Sequence, residues 1–246
     1  MKAMVFAAGL GTRLRPITDS LPKALVLVGG EPLLCHVLKK LAASGYDEAV
    51  VNVHHFADKI REYLDGKDFG LKVSISDETD LLRETGGALK HAEPLLGGDG
   101  PFLVHNVDIV SDLDLGWFRK QCPPDALATL LVSSRETKRY FLFDKQMRLV
   151  GWTNVETGEV RSPFPGLRAE DCTKLAFSGI HNISPAVFDA FRQYGCPERF
   201  PIVDFYLRAC KDYPIYGVAP ERLTLVDVGK IETLQQAEKI CKTLLA

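Results

Sequence analysis

No two of the six cysteines stand in a CxxC pair: Cys35, Cys122, Cys172, Cys196, Cys210 and Cys241 are scattered over 246 residues. They are read most simply as buried, reduced thiols of an intracellular chain. Long hydrophobic runs are missing too, none approaching the roughly eighteen residues that a membrane span needs. The short apolar stretch at residues 3–10 is followed by Arg13 and Arg15, where a signal peptide would carry small neutral residues, so it is read as a buried first strand. Charge of one sign is not in excess. Thirty Lys and Arg against 32 Asp and Glu leave a net charge of −2, which offers no basic surface to a nucleic acid or a membrane. Any bound anion must then be held by a local cluster. Neither low-complexity tracts nor internal repeats occur, which excludes a solenoid and a fused hexapeptide β-helix. The expectation is a cytoplasmic monomer or small homo-oligomer.

Apolar residues make up 46% and charged residues 25% of the chain, as in globular proteins, and no linker divides it. One domain over residues 1–246 is expected. Apolar runs at residues 3–7, 49–53, 71–75, 102–104 and 126–132 read as strands. Between them, helical patterns run from Pro32 to Gly45 and over 57–64, 87–95 and 115–122. Repeated β-α-β order with buried strands predicts a doubly wound α/β fold, a mostly parallel mixed sheet covered by helices on both faces. After residue 132 the rhythm changes. A hairpin is expected over 140–143 and 148–152, a Gly- and Pro-rich loop excursion over 154–171, and a strand over 175–183. Helices over 185–194 and 202–211, strands over 215–218 and 223–228, and a closing helix over 231–245 complete the chain.

The first strand ends in Ala7-Ala8-Gly9-Leu10-Gly11-Thr12-Arg13. A glycine-rich turn at a strand's carboxyl end lets backbone N–H groups approach a phosphate without interference from Cβ, and open α/β sheets bind ligands in that crevice. Arg13 adds a planar guanidinium suited to phosphate oxygens. Two familiar loops are excluded: nothing fits GxxxxGK[ST], and Leu14 stands where a dinucleotide fingerprint needs its third glycine. Continued to Lys23, the segment G-L-G-T-R-L-R-P-I-T-D-S-L-P-K resembles the signature of the sugar-1-phosphate nucleotidyltransferases. The resemblance implies that Ala8, Gly9, Gly11 and Thr12 wrap a nucleoside triphosphate. It also implies that Arg13 and Lys23 contact phosphates around the reacting centre as catalytic cations.

Three further segments follow in the order of that family. Glu84-Thr85-Gly86-Gly87 opens a helix whose free N–H groups would suit contact with a nucleotide; Glu84, Gly86 and Gly87 are assigned to the nucleotide and Thr85 to the sugar substrate. Asn106-Val107-Asp108 ends a buried strand, and Asp227-Val228-Gly229 lies near the C-terminus. The resemblance makes Asp108 and Asp227 ligands of a Mg²⁺ ion, which takes carboxylates, waters and substrate phosphates. Asn106, Asn154 and Gly179 are further substrate-binding candidates. The sequence also departs from the family: Val107 replaces the glycine of N-G-D, Lys230 follows Gly229, and no E-K-P motif is present, Lys174 being a possible stand-in for its lysine.

The chain most resembles the short N-acetylmuramate 1-phosphate uridylyltransferases, through P-K-A-L-V, E-T-G-G and Phe177-Ser178-Gly179-Ile180. Mannose-1-phosphate guanylyltransferases and phosphocholine cytidylyltransferases share the front half. The resemblance thus implies a nucleotide-binding part at about residues 1–132, a sugar-binding part at about 133–230, and UTP with an N-acetylated sugar 1-phosphate as partners. Arg161 and Arg168 are candidates for a lactyl carboxylate, while His54, His55 and His105 are read as structural. The competing reading is a nucleotide-binding regulatory subunit without catalysis; the presence of Arg13, Lys23, Asp108 and Asp227 disfavours it.

Overall fold

The computed structural model describes residues 1–244, with side chains through residue 240. The front half holds β1 (Lys2–Phe6), β2 (Leu27–Val28), β3 (Glu31–Pro32), α1 (Leu33–Ala43), β4 (Glu48–Val53), α2 (Ala57–Leu64) and β5 (Lys72–Asp77). It continues with α3 (Glu84–His91), α4 (Glu93–Leu96), β6 (Phe102–Asn106), β7 (Ile109–Ser111), α5 (Leu115–Lys120) and β8 (Ala128–Ser133). Then come β9 (Arg139–Phe143), β10 (Leu149–Asn154), β11 (Glu159–Arg161), β12 (Thr173–Ile183), α6 (Ala186–Gln193), α7 (Ile202–Ala209), β13 (Ile215–Val218), β14 (Leu225–Asp227) and α8 (Ile231–Leu244). No described helix is long and apolar enough to cross a membrane.

Among the described residues ten strands join in one mixed sheet. Strands β5, β4, β1 and β6 run parallel, β12 lies antiparallel between β6 and β8, and β13 is parallel to β8. This is the doubly wound α/β fold that the alternation predicts. Its strands are apolar on both faces because helices cover both. Ala3, Val5, Ala49 and Val51 pack into one core with α1, while Met4, Val50, Phe102 and Val104 pack into the other with α6 and α7.

The chain differs from expectation in three places. The excursion at 154–171 is not wholly irregular: β11 pairs with β10, and a 3₁₀ turn covers Ala169–Asp171. The third helix begins at Glu84, earlier than the apolar pattern suggests, and α4 follows it separately. The short pair β7 and β14 escaped notice in β7, which is three residues long. Residue 245 of the expected closing helix lies outside the described residues.

Strand β12 decides the site's shape. Its first residues, Thr173–Leu175, pair with β9, and its last, Ile180–Ile183, pair with β6. Between them its register against β8 slips from Phe177 to His181, with Gly179 at φ +73° inside the bulge. The strand therefore bends away from the parallel sheet and carries β9, β10 and β11 with it, leaving a cleft at the sheet's carboxyl edge.

Candidate active site

A cavity of about 560 Å³ opens at the carboxyl ends of β1, β4 and β6. The glycine loop forms one wall. Gly11 turns at φ +63°, and its carbonyl accepts bonds from the Leu14 amide at 2.9 Å and the Thr18 hydroxyl at 2.8 Å. A Cβ at Gly11 would come within 3.1 Å of Lys23 Cβ, whereas one at Gly9 would meet nothing within 4 Å. The space beside Gly9 belongs to the cavity. The loop's start is fixed from below: the Ala7 amide donates to Asn52 Oδ1 at 2.7 Å, and Asn52 Nδ2 donates to Glu78 Oε1 at 2.8 Å. Glu78 is fully buried, which pushes its carboxyl up, while Asn52 and the Arg83 amide draw it back down.

The charged residues meet at the cavity's other end. The antiparallel pair β7 and β14 sets Asp227 opposite Ile109, and the Val228 amide donates to the Asp108 carbonyl at 2.8 Å, so the two acids become neighbours. Lys23, buried under the loop, forms an ion pair with Asp108. Arg13 lies against Gly229, where an added Cβ would sit 2.9 Å from both its Nη2 and Asp227 Oδ1. Asp227 is open to solvent. Desolvation and the nearby Asp108 raise its carboxyl; Lys23, Arg13 and Arg135 oppose that rise. Two carboxylates from distant segments, with cations around them, suit one divalent ion whose remaining ligands are waters and phosphate oxygens.

Of the residues singled out by sequence, Ala8, Gly9, Gly11, Thr12, Arg13, Lys23, Glu84, Thr85, Asn106 and Asp108 line this cavity. Asp227 adjoins it through Gly229, and Gly179 through Asn106, whose Nδ2 a Cβ on Gly179 would approach to 2.6 Å. Gly86 and Gly87 do not line it. Their amides are not free but donate to the Phe200 carbonyl at 2.9 and 3.2 Å. Added Cβ atoms there would strike the Phe200 ring at 2.2 Å and the Glu198 carbonyl oxygen at 2.1 Å. These glycines let the 198–200 segment approach α3, and the Thr85 hydroxyl accepts the first α7 amide, from Ile202, at 2.9 Å. Asn154 lies elsewhere, in a second cavity of about 600 Å³ beneath the hairpin, with Arg135, Arg139, Trp152 and Arg161.

Lys174 is exposed on β12, opposite Leu142, and lines neither cavity, so nothing supports it as a stand-in for the missing lysine. Arg168 points outward and pairs with Asp171 and Glu170. His54 Nδ1 contacts the Glu78 carbonyl, and His105 is buried and held neutral, its pKa lowered to about 4 chiefly by desolvation. Three contributors escaped the sequence reading. Asn52 and Glu78 left one signal, an amide inside the apolar run Val50-Val51-Asn52-Val53; Arg135, in the turn after β8, left none.

Residues 2–141, more than half of the chain, match the family described as nucleotidyl transferases. The chain belongs to that family. This nucleotidyltransferase, of the pyrophosphorylase type, is 36% identical over 233 residues to an N-acetylmuramate alpha-1-phosphate uridylyltransferase of Caulobacter vibrioides, covering 90% of this chain and 89% of that protein. A mannose-1-phosphate guanyltransferase of Aspergillus oryzae is 40% identical over 115 residues, 46% of this chain and 31% of that one. The fold of this nucleotidyltransferase is also that of apo UDP-glucose pyrophosphorylase, with a TM-score of 0.76 at 16% identity over the whole of both chains.

Proposed function

We propose that the protein transfers the uridylyl group of UTP to N-acetylmuramate 1-phosphate, releasing pyrophosphate, with Mg²⁺ as cofactor. The observation that carries the reaction is the convergence of the glycine loop, Arg13, Lys23, Asp108 and Asp227 on one cleft end. The substrate pair rests on the Caulobacter vibrioides relative, matched over nearly its full length. The backbone of Ala8 to Thr12 approaches the triphosphate, while Arg13 and Lys23 neutralise its oxygens. An oxygen of the sugar phosphate attacks the α-phosphorus in line; the bond to the bridging oxygen breaks and pyrophosphate leaves. That oxygen is already deprotonated near neutral pH, so no general base is needed, and positioning with charge neutralisation lowers the barrier. Magnesium held by Asp108 and Asp227 would supply further neutralisation on the phosphates. The sugar extends from Asn106 and Gly179 toward the second cavity.

The test is pyrophosphate release with UTP, GTP and CTP, each supplied with N-acetylmuramate, N-acetylglucosamine, glucosamine and mannose 1-phosphates and with phosphocholine. UTP with N-acetylmuramate 1-phosphate is expected to give the highest kcat/KM. A lead of more than about tenfold for GTP with mannose 1-phosphate, or CTP with phosphocholine, would overturn the substrate pair. Neither result would disturb the reaction class.

A further inference from the structure

Arginine is the dominant charge of the second cavity, and its three arginines have different surroundings. Arg161 is engaged: it forms an ion pair with Asp204 and lies over the Trp152 ring, 5.1 Å from the centroid. Arg135 donates to the Phe177 carbonyl at 3.1 Å, beside the β12 bulge, and its charge is felt by Asp227. It lines the second cavity and suits the phosphate that both cavities would share. Arg139 is different. Its backbone sits in the β9–β10 ladder opposite Asn154, but its guanidinium has no acceptor and no carboxylate partner among the described residues.

The remaining unpaired acid of this wall is Glu159, which stands opposite Asn154 on β11, with Asn154 between it and Arg139. With Arg161 offset by Asp204 and Arg135 given to the phosphate, Arg139 and Glu159 are the two charges of this wall left without a partner among the described residues. Phe141, Phe177 and Trp152 supply an apolar floor for a ring face or a methyl group.

We infer that Arg139 is a specificity-determining residue that binds a carboxylate carried on the sugar phosphate, such as the lactyl ether that distinguishes muramate from glucosamine. The inference rests on the proposed function and names the group that selects its substrate. The Arg139 side chain is exposed in the cavity wall with its guanidinium free of partners among the described residues, open to a planar, bidentate anion, and a carboxylate matches its fork. The role expected of Arg161 and Arg168 thus passes to a residue whose backbone is fixed in a β-ladder.

The test measures kcat/KM with UTP for N-acetylmuramate 1-phosphate, the same compound with its lactyl carboxyl converted to an amide, and N-acetylglucosamine 1-phosphate. Wild type and Arg139→Gln are compared. Arg139→Gln is expected to lower the ratio of muramate to glucosamine specificity constants by about 30-fold, mainly through KM. The amide is expected to lower wild-type activity by a similar factor, and Arg139→Gln to add little further loss on it. Equal losses on all three compounds, or an unchanged ratio, would overturn the assignment. If wild type itself favours the neutral sugar, the substrate proposal fails and the inference with it. If wild type favours muramate and Arg139→Gln keeps that preference, the inference alone fails.

Discussion

Lys23 and Asp108 already satisfy each other's charge at the place where phosphates and a metal ion are proposed to bind. Under the proposed function, binding would exchange partners: phosphate oxygens would take Lys23, and Asp108 would turn to the cation. Lys23→Met is expected to cut turnover, yet to let nucleotide-free protein bind Mn²⁺ about tenfold more tightly, read by electron paramagnetic resonance. Unchanged or weaker Mn²⁺ binding would show that the ion pair does not compete with the metal. Asp108→Asn and Asp227→Asn should each lower kcat at least about a hundredfold, with circular dichroism unaltered, since each removes one carboxylate of the proposed metal site. Near-normal turnover at modest magnesium would remove that residue from the ligand set.

Glycines of similar appearance do unlike things in different elements. At Gly87, inside α3, a methyl group would collide with the Glu198 carbonyl oxygen at 2.1 Å, and backbone cannot yield cheaply. Gly87→Ala should cost about 2–3 kcal/mol of stability, a drop in Tm readable by calorimetry, and displace Thr85 from the cleft. At Gly9 a methyl group meets open space that the ligand would fill. Gly9→Ala should leave Tm within about a degree or two and still lower kcat/KM for the nucleotide. A stable Gly87→Ala with weak nucleotide binding would reverse the structural role given to that glycine. The sequence shows both glycines but not this distinction, because the partner of Gly87 lies more than a hundred residues away.

Across the whole molecule, two buried histidines set a limit at low pH. His181, paired with the Tyr206 hydroxyl at 2.7 Å, has its pKa lowered by burial to about 3, and His105 has its own lowered to about 4. Both are neutral in the fold, whereas in the unfolded chain they take protons near pH 6.5. The unfolded state thus binds more protons below that pH, and stability, full above 6.5, is lost as the pH falls toward 4. Denaturant titrations should show a loss of about 3 kcal/mol per histidine by pH 4, partly relieved in His181→Gln. A flat profile between pH 7 and 5 would mean that these rings are not held neutral.

The sequence by itself determined the alternation of strands and helices and the glycine-rich loop after β1. Both are local: a buried parallel strand needs a continuous apolar run, and a sharp turn at φ +63° needs Gly11. It also supplied Arg13, Lys23 and the two aspartates as candidates. Tertiary structure alone decided that Asp108 and Asp227 become neighbours, through the short pair of β7 and β14. It alone gave Gly86 and Gly87 to the Phe200 segment and moved Asn154 into a second cavity. It also paired Arg161 with Asp204 and Arg168 with Asp171. The physical reason is range. Periodicity and turn chemistry are written within a few residues, whereas the partner of a charge is fixed by how β12 bends and which strands follow it.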